Sequence, residues 1–128
     1  MDAPLIPVSW GEVFDKLSIL DIKREKLADP AQRINVEREY ALIQPALAPI
    51  NQGDGQLQYF VNQLRDVNAK LWDIENGKRK CEKDQRFDAL FIQLARQVYL
   101  LNDLRAALKK AINAHLGSEI VEEKCHAA

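Results

Sequence analysis

Asn102, Arg105, Lys109 and Asn113 recur at intervals of three, four and four residues in "LLNDLRAALKKAIN". On a helix of 3.6 residues per turn they therefore share one edge. Their side chains offer the donors an anion wants: a planar guanidinium that grips a carboxylate or phosphate through two parallel bonds, an ammonium, and two amides. A row of this kind beside an apolar stripe marks either an anion-binding cleft between helices or a polar network that holds helices in register. Either way, an Arg105 on the apolar face needs a carboxylate, because an unpaired interior charge costs several kcal/mol. Asn68 and Glu75 lie seven residues apart on the apolar face of the preceding helical segment, which makes Glu75 the first candidate partner. Asp15, Glu12 and the Glu122-Glu123 pair follow.

Acidic spacing raises a different chemistry. Glu12 and Asp15 stand at i, i+3, and Asp21 and Glu25 at i, i+4, so each pair can put its carboxylates on one helix face. Mg²⁺ is often held by a few carboxylates together with substrate phosphates, and this is the basis of an alternative reading as an enzyme acting on a phosphoanhydride or sugar phosphate. Other catalytic signals are weak. His115 and His126 have no serine or cysteine nucleophile in a local motif, and no glycine-rich phosphate loop is present. Cys81 and Cys125 belong to no CxxC motif, and Cys125-His126 with His115 lacks the spacing of a metal site. No cofactor and no metal are expected.

The elements that must position these residues are helices. "VSWGEVFD" carries a capping box in which Ser9 accepts from the Glu12 amide and the Glu12 carboxylate returns to the Ser9 amide. It opens a helix over about residues 10–27. Val13, Leu17, Leu20 and Leu27 fall on one side of it and Ile19 and Ile22 on the other, alongside Glu12 and Asp15. A helix apolar on two faces is packed among neighbours, so at least one of those carboxylates points inward. Asp29 caps a second helix with Pro30 at its first position, buried through Val36, Tyr40, Ile43 and Leu47 and ended by Pro45 and Pro49. After the breaker "PINQGDG", Asp54 caps a third helix to about Lys80, weakened near its end by Gly77, with Leu57, Phe60, Val61, Leu64, Leu71 and Trp72 on its inner face. Asp84 is expected to cap a fourth helix of about 30 residues, roughly 45 Å long. Phe87, Leu90, Phe91, Leu94, Val98, Leu101, Leu108 and Ile112 face inward on it, and Gly117 closes it.

Composition sets the limits. The 128 residues are 47% hydrophobic and 29% charged, the pattern of a globular chain, and 18 basic against 19 acidic residues leave a net charge of −1. Such a balance offers no field for nucleic acid or an anionic membrane, and neither is expected as a partner. No apolar run has the length of a membrane span, and "MDAPLIPVSW" lacks a signal peptide's basic start and apolar core, so the expected location is cytoplasmic.

"VSWGEVFDKLSILDIK", "LWDIE", "FIQLARQVYLLNDLRAALKKAIN" and "GSEIVEEK" together resemble a small uncharacterised bacterial domain family of unknown function. The Gly-Glu-x-x-Asp-Lys and Asn-Asp-x-Arg-Ala elements are its specific part. The resemblance implies no activity. It does gather Glu12, Asp15, Lys16, Glu75, Asn102, Asp103, Arg105 and Glu123 into family-like segments, as members of one internal network would be. A Ser-Tyr expected after the Glu-Glu-Lys is replaced here by Cys125-His126.

The sequence thus describes a single all-α domain over residues 1–128, a bundle of four main helices ending in a long antiparallel hairpin. An extended arm of residues 1–9 is expected to pack on the bundle through Leu5 and Ile6, and a tail of residues 118–128 to fold back through Ile120 and Val121. Its expected role is a binding or interaction module with a polar cleft, taking a small anionic ligand or a protein partner. A homodimer is the remaining alternative, because the fourth helix outruns a compact body of this size.

Overall fold

The computed structural model describes residues 1–124. Cys125 and His126 lie outside that range. Four helices form, and among the described residues there is no strand: α1 (Trp10–Lys26), α2 (Pro30–Ile43), α3 (Gly55–Lys83) and α4 (Ala89–Leu116), with a short 3-10 turn, Gln44–Leu47, after α2. The all-α bundle read from periodicity is the fold.

The caps explain most boundaries. Ser9 accepts from the Glu12 amide at 3.1 Å, Asp29 from the Gln32 amide at 3.0 Å, and Asp54 from the Leu57 amide at 3.1 Å. Each satisfies one of the donors that the first turn of a helix leaves without an internal partner. At the other end of α4, Gly117 adopts φ 63°, the left-handed conformation that lets Ser118 N–H reach back to the Asn113 carbonyl at 2.8 Å. One cap differs from the sequence reading. Asp84 ends α3, and it is Asp88 that opens α4 by accepting from the Leu90 amide at 3.2 Å. The hairpin turn therefore runs from residue 84 to 88, and Phe87 lies in it, exposed, with its ring edge-on to Phe91.

α3 and α4 are the long antiparallel pair, about 44 and 42 Å by their residue counts. α1, at 17 residues, covers only the lower half of one side, and it touches α2, α3 and α4 in turn. The core sits at that lower end, where Phe14, Leu57, Leu64 and Ile112 are buried and Trp10, Leu47, Ile50, Phe60 and Leu108 pack around them. Burial of both faces of α1, by Val13, Leu17 and Leu20 together with Ile22 and Asp15, makes it the internal helix. With three helices already around it, α1 has no apolar face left for the N-terminal arm. Leu5 and Ile6 are accordingly exposed, at 96% and 75%, where the sequence reading packed them down.

Two glycines set distances between helices. Gly77 does not loosen the end of α3; a Cβ there would lie 3.2 Å from Leu94 Cδ1, so its hydrogen lets α4 approach. Gly11 does the same for α1, and more stringently. A Cβ on Gly11 would meet the Lys109 carbonyl oxygen at 2.5 Å, in contact with backbone that cannot swing aside.

Candidate functional site

The crossing of α1 over α4 begins with backbone donors of the first turn of α1. Gly11 N–H donates to Asn113 Oδ1 at 2.7 Å and Trp10 N–H to Ser118 Oγ at 3.3 Å, so residues at the end of α4 cap α1 from outside. This arrangement also sets the positive end of one helix dipole against the negative end of another. Once that contact is made, Asp15 lies one turn further along α1, directly over α4.

Asp15 is the centre of the site, with a side chain only 2% exposed. Arg105 grips it with two bonds, Nε to Oδ1 at 2.9 Å and Nη2 to Oδ2 at 2.5 Å. Asn68 Nδ2 donates to the same Oδ1 at 2.9 Å and to Ser18 Oγ at 2.6 Å, while Ser18 Oγ donates to the Asp15 carbonyl at 3.0 Å. Burial pushes the Asp15 carboxyl up, but the bonds from Arg105 and Asn68 and the charges of Arg105 and Lys109 outweigh it and hold the group below its ordinary value. Arg105 is raised in turn, first by its bond to Asp15. The inner network joins α1, α3 and α4, and among the described residues no buried side-chain nitrogen or oxygen is left without a partner. A satisfied network of this kind holds its helices in one register.

The partner of Arg105 is thus Asp15 and not Glu75. The register of the hairpin is the reason. Gly77 packs against Leu94 and the Phe60 ring meets His115 edge-on at 6.2 Å, which puts Arg105 level with Asn68 and leaves Glu75 seven residues, about 10.5 Å, further up. There α1 has ended, so Glu75 is exposed and pairs with Lys78 on its own helix at 3.5 Å. Lys16 also faces solvent.

Beside the inner network the structure has an open cleft of about 620 Å³, lined by Glu12, Asn102, Arg105, Lys109 and Asn113 and bordered by Glu122, Glu123 and Lys124. All four residues of the donor row reach it. Lys109, only 12% exposed, donates to Glu12 Oε2 at 2.7 Å and lies 3.9 Å from Asp15 Oδ2. Burial would lower its ammonium, yet the Glu12 bond and the charges of Glu12, Asp15 and Glu122 keep it above its ordinary value. Glu12 therefore makes half of its expected capping box: it gives its amide to Ser9 and its carboxylate to Lys109. The Arg105 nitrogen that does not touch Asp15, Nη1, has only a 3.5 Å contact with Asn102 Oδ1.

The C-terminal segment folds back, but through its charges. Glu122 approaches Lys109 at 3.4 Å, Glu123 pairs with Lys110 at 2.8 Å, and Lys124 pairs with Asp103. Ile120 and Val121, expected to anchor it, are exposed, because a segment after a left-handed cap runs along the polar edge of α4 and not over its apolar stripe.

The acidic pairs do not converge. Glu12 and Asp15 face Lys109 and Arg105, while Asp21 and Glu25 both face Arg65, at 3.5 and 2.7 Å. His115 meets Asp54 at 2.7 Å near the opposite edge of α4. Among the described residues no group of three acidic, histidine or cysteine side chains is placed to hold a metal ion. No described helix is long and apolar enough to cross a membrane.

Gly11, Ser18 and Ser118 escaped the sequence reading. Gly11 left a signal: a glycine inside the first turn of a helix costs about 1 kcal/mol against alanine, and such a residue marks a close approach. The serines left none, since their role depends on which helix lies opposite.

No curated protein and no solved structure matches the chain. A family model matches residues 5–128 and, like the resemblance, assigns no activity: the chain belongs to the family described as a family of unknown function, DUF6165.

Proposed function

We propose that the chain is a binding module whose cleft between α1 and α4 takes a small ligand carrying a carboxylate or phosphate. The observation that supports this most is the state of Lys109. It is nearly buried, it holds the fixed carboxylate of Glu12 at 2.7 Å, and its remaining reach goes to Glu122, a tail residue, at 3.4 Å. A ligand anion that displaced Glu122 would meet Lys109, the free edge of the Arg105 guanidinium and the Asn102 amide, with no helix having to move. The Asp15 network behind them keeps the donors in place, and preorganised donors lose little freedom on binding.

Thermal unfolding in inorganic phosphate, sugar phosphates, nucleotides and dicarboxylates tests the reading. A ligand that binds only the folded chain stabilises it by about 2.7 kcal/mol at 100 times its dissociation constant. Lys109→Ala should abolish that gain while circular dichroism stays helical. Stabilisation that persists in Lys109→Ala, or its absence across the whole set, overturns the cleft as the ligand site.

A further inference from the structure

α4 carries a second stripe that the fold leaves largely bare, six of its eight residues being exposed and Gln97 and Ala111 half-buried. Leu90, Gln93, Gln97, Leu100, Leu104, Ala107, Ala111 and Ala114 recur at alternating spacings of three and four residues over its whole length, and none is charged. That is the 3.5-residue period of a coiled-coil seam. The neighbouring row of Leu94, Leu101 and Leu108 is directed at α3, so the bare row lies on the outer flank of the hairpin, away from α1. Leu90, Leu100 and Leu104 are 41%, 53% and 46% exposed.

We infer that this face is the interface with a second copy of the same chain, α4 against α4 in antiparallel sense. Area supports a partner of that size. A compact monomer of 14.6 kDa exposes about 6,900 Å². This chain exposes 8890 Å², a surplus of about 2,000 Å² against the roughly 800 Å² per partner of a standard interface. The extended residues 1–8 carry part of that surplus and the uncovered hairpin another part.

Charge selects the partner and the direction. Arg96, Asp103 and Lys110 flank the bare row at intervals of seven, with signs that alternate. Among the described residues Asp103 and Lys110 have tail partners, Lys124 and Glu123, and Arg96 has no carboxylate. A two-fold axis passing near Leu100 sets Arg96 of each copy opposite Asp103 of the other, twice over. It also brings the two Leu100 side chains together, with Leu104 beside them. A parallel pair of these helices would put the two Arg96 on opposite edges of the seam, each facing the other flank of its partner, and forgo both contacts. The centre of the interface, Leu100 and Leu104, lines no part of the α1 cleft, whereas Ala107 and Lys110 at its lower end also border it.

Sedimentation equilibrium on the full chain, from nanomolar to submillimolar concentration, should give twice the 14.6 kDa chain mass at the upper end. Leu100→Glu should return it to monomer with its helical dichroism unchanged, since the position is on the surface. Arg96→Asp and Asp103→Arg should each weaken the dimer, and the two together should restore it. With Cys81 and Cys125 changed to serine, Leu100→Cys should form a disulfide-linked dimer under mild oxidation. A monomer at every concentration overturns the proposal. So does a dimer that withstands Leu100→Glu or whose Leu100→Cys form does not cross-link, or a monomer that binds a different protein through this stripe.

Discussion

Gly11 and Lys109 touch backbone to backbone: the hydrogen of the glycine occupies the place where a Cβ would stand 2.5 Å from the lysine carbonyl oxygen. On this contact depend the bond from the Gly11 amide to Asn113 and the placement of Asp15 over Arg105.

Gly11→Ala should therefore destabilise the chain, although alanine is the better helix former by about 1 kcal/mol. Overpacking of this kind costs about 1 to 3 kcal/mol or more, and α1 has to move away from α4 to relieve it. Denaturant unfolding measures the loss. A gain in stability would show that the helices are not held this close.

Arg105→Ala should cost about 3 kcal/mol, because it strands a carboxylate that is almost wholly buried. Asp15→Asn in the same background should cost little more, the pair being coupled. Glu75→Gln should stay within about 0.5 kcal/mol of the parent, as surface changes do. A double-mutant cycle in urea separates these outcomes; strong coupling of Arg105 to Glu75 would contradict the register described above.

Acid should unfold the protein through Asp15. Burial pushes its folded pKa up, but the bonds from Arg105 and Asn68 and the charges of Arg105 and Lys109 together outweigh it and hold the pKa below its unfolded value. The unfolded chain then binds the proton more readily, so the contribution of Asp15 is complete above the unfolded value of about 3.9 and is lost as pH falls through the folded one. Lys109 has the opposite sign: its raised pKa contributes below about 10.4 and fades as pH rises past that. Melting temperature against pH should fall below about pH 4, with a smaller fall in Asp15→Asn.

Glu122→Gln with Glu123→Gln should change stability by under about 1 kcal/mol, since both carboxylates are exposed. The same pair of changes should strengthen any anion that shifts the melting curve, by freeing Lys109 and Lys110. Titration calorimetry with that anion compares the two proteins; weaker binding in the double variant would mean that the tail carboxylates help to hold the ligand.

Much of this was written locally. Capping residues and the 3.6-residue period depend on neighbours within a turn or two, so the four helices, the internal character of α1 and the left-handed Gly117 could be read from the chain. The donor row of Asn102, Arg105, Lys109 and Asn113 was legible for the same reason, because one helix carries all four. What lay between helices was not. A sequence contains no term for the sliding of one helix along another, and a slip of seven residues on α3 exchanges Asn68 for Glu75 as the group level with Arg105. Only packing decided that, through Gly77 against Leu94, Gly11 against Lys109, and an α1 too short to cover Glu75. The choice of Asp15 as the buried carboxylate followed, because three helices must meet before a charge can be both desolvated and paired.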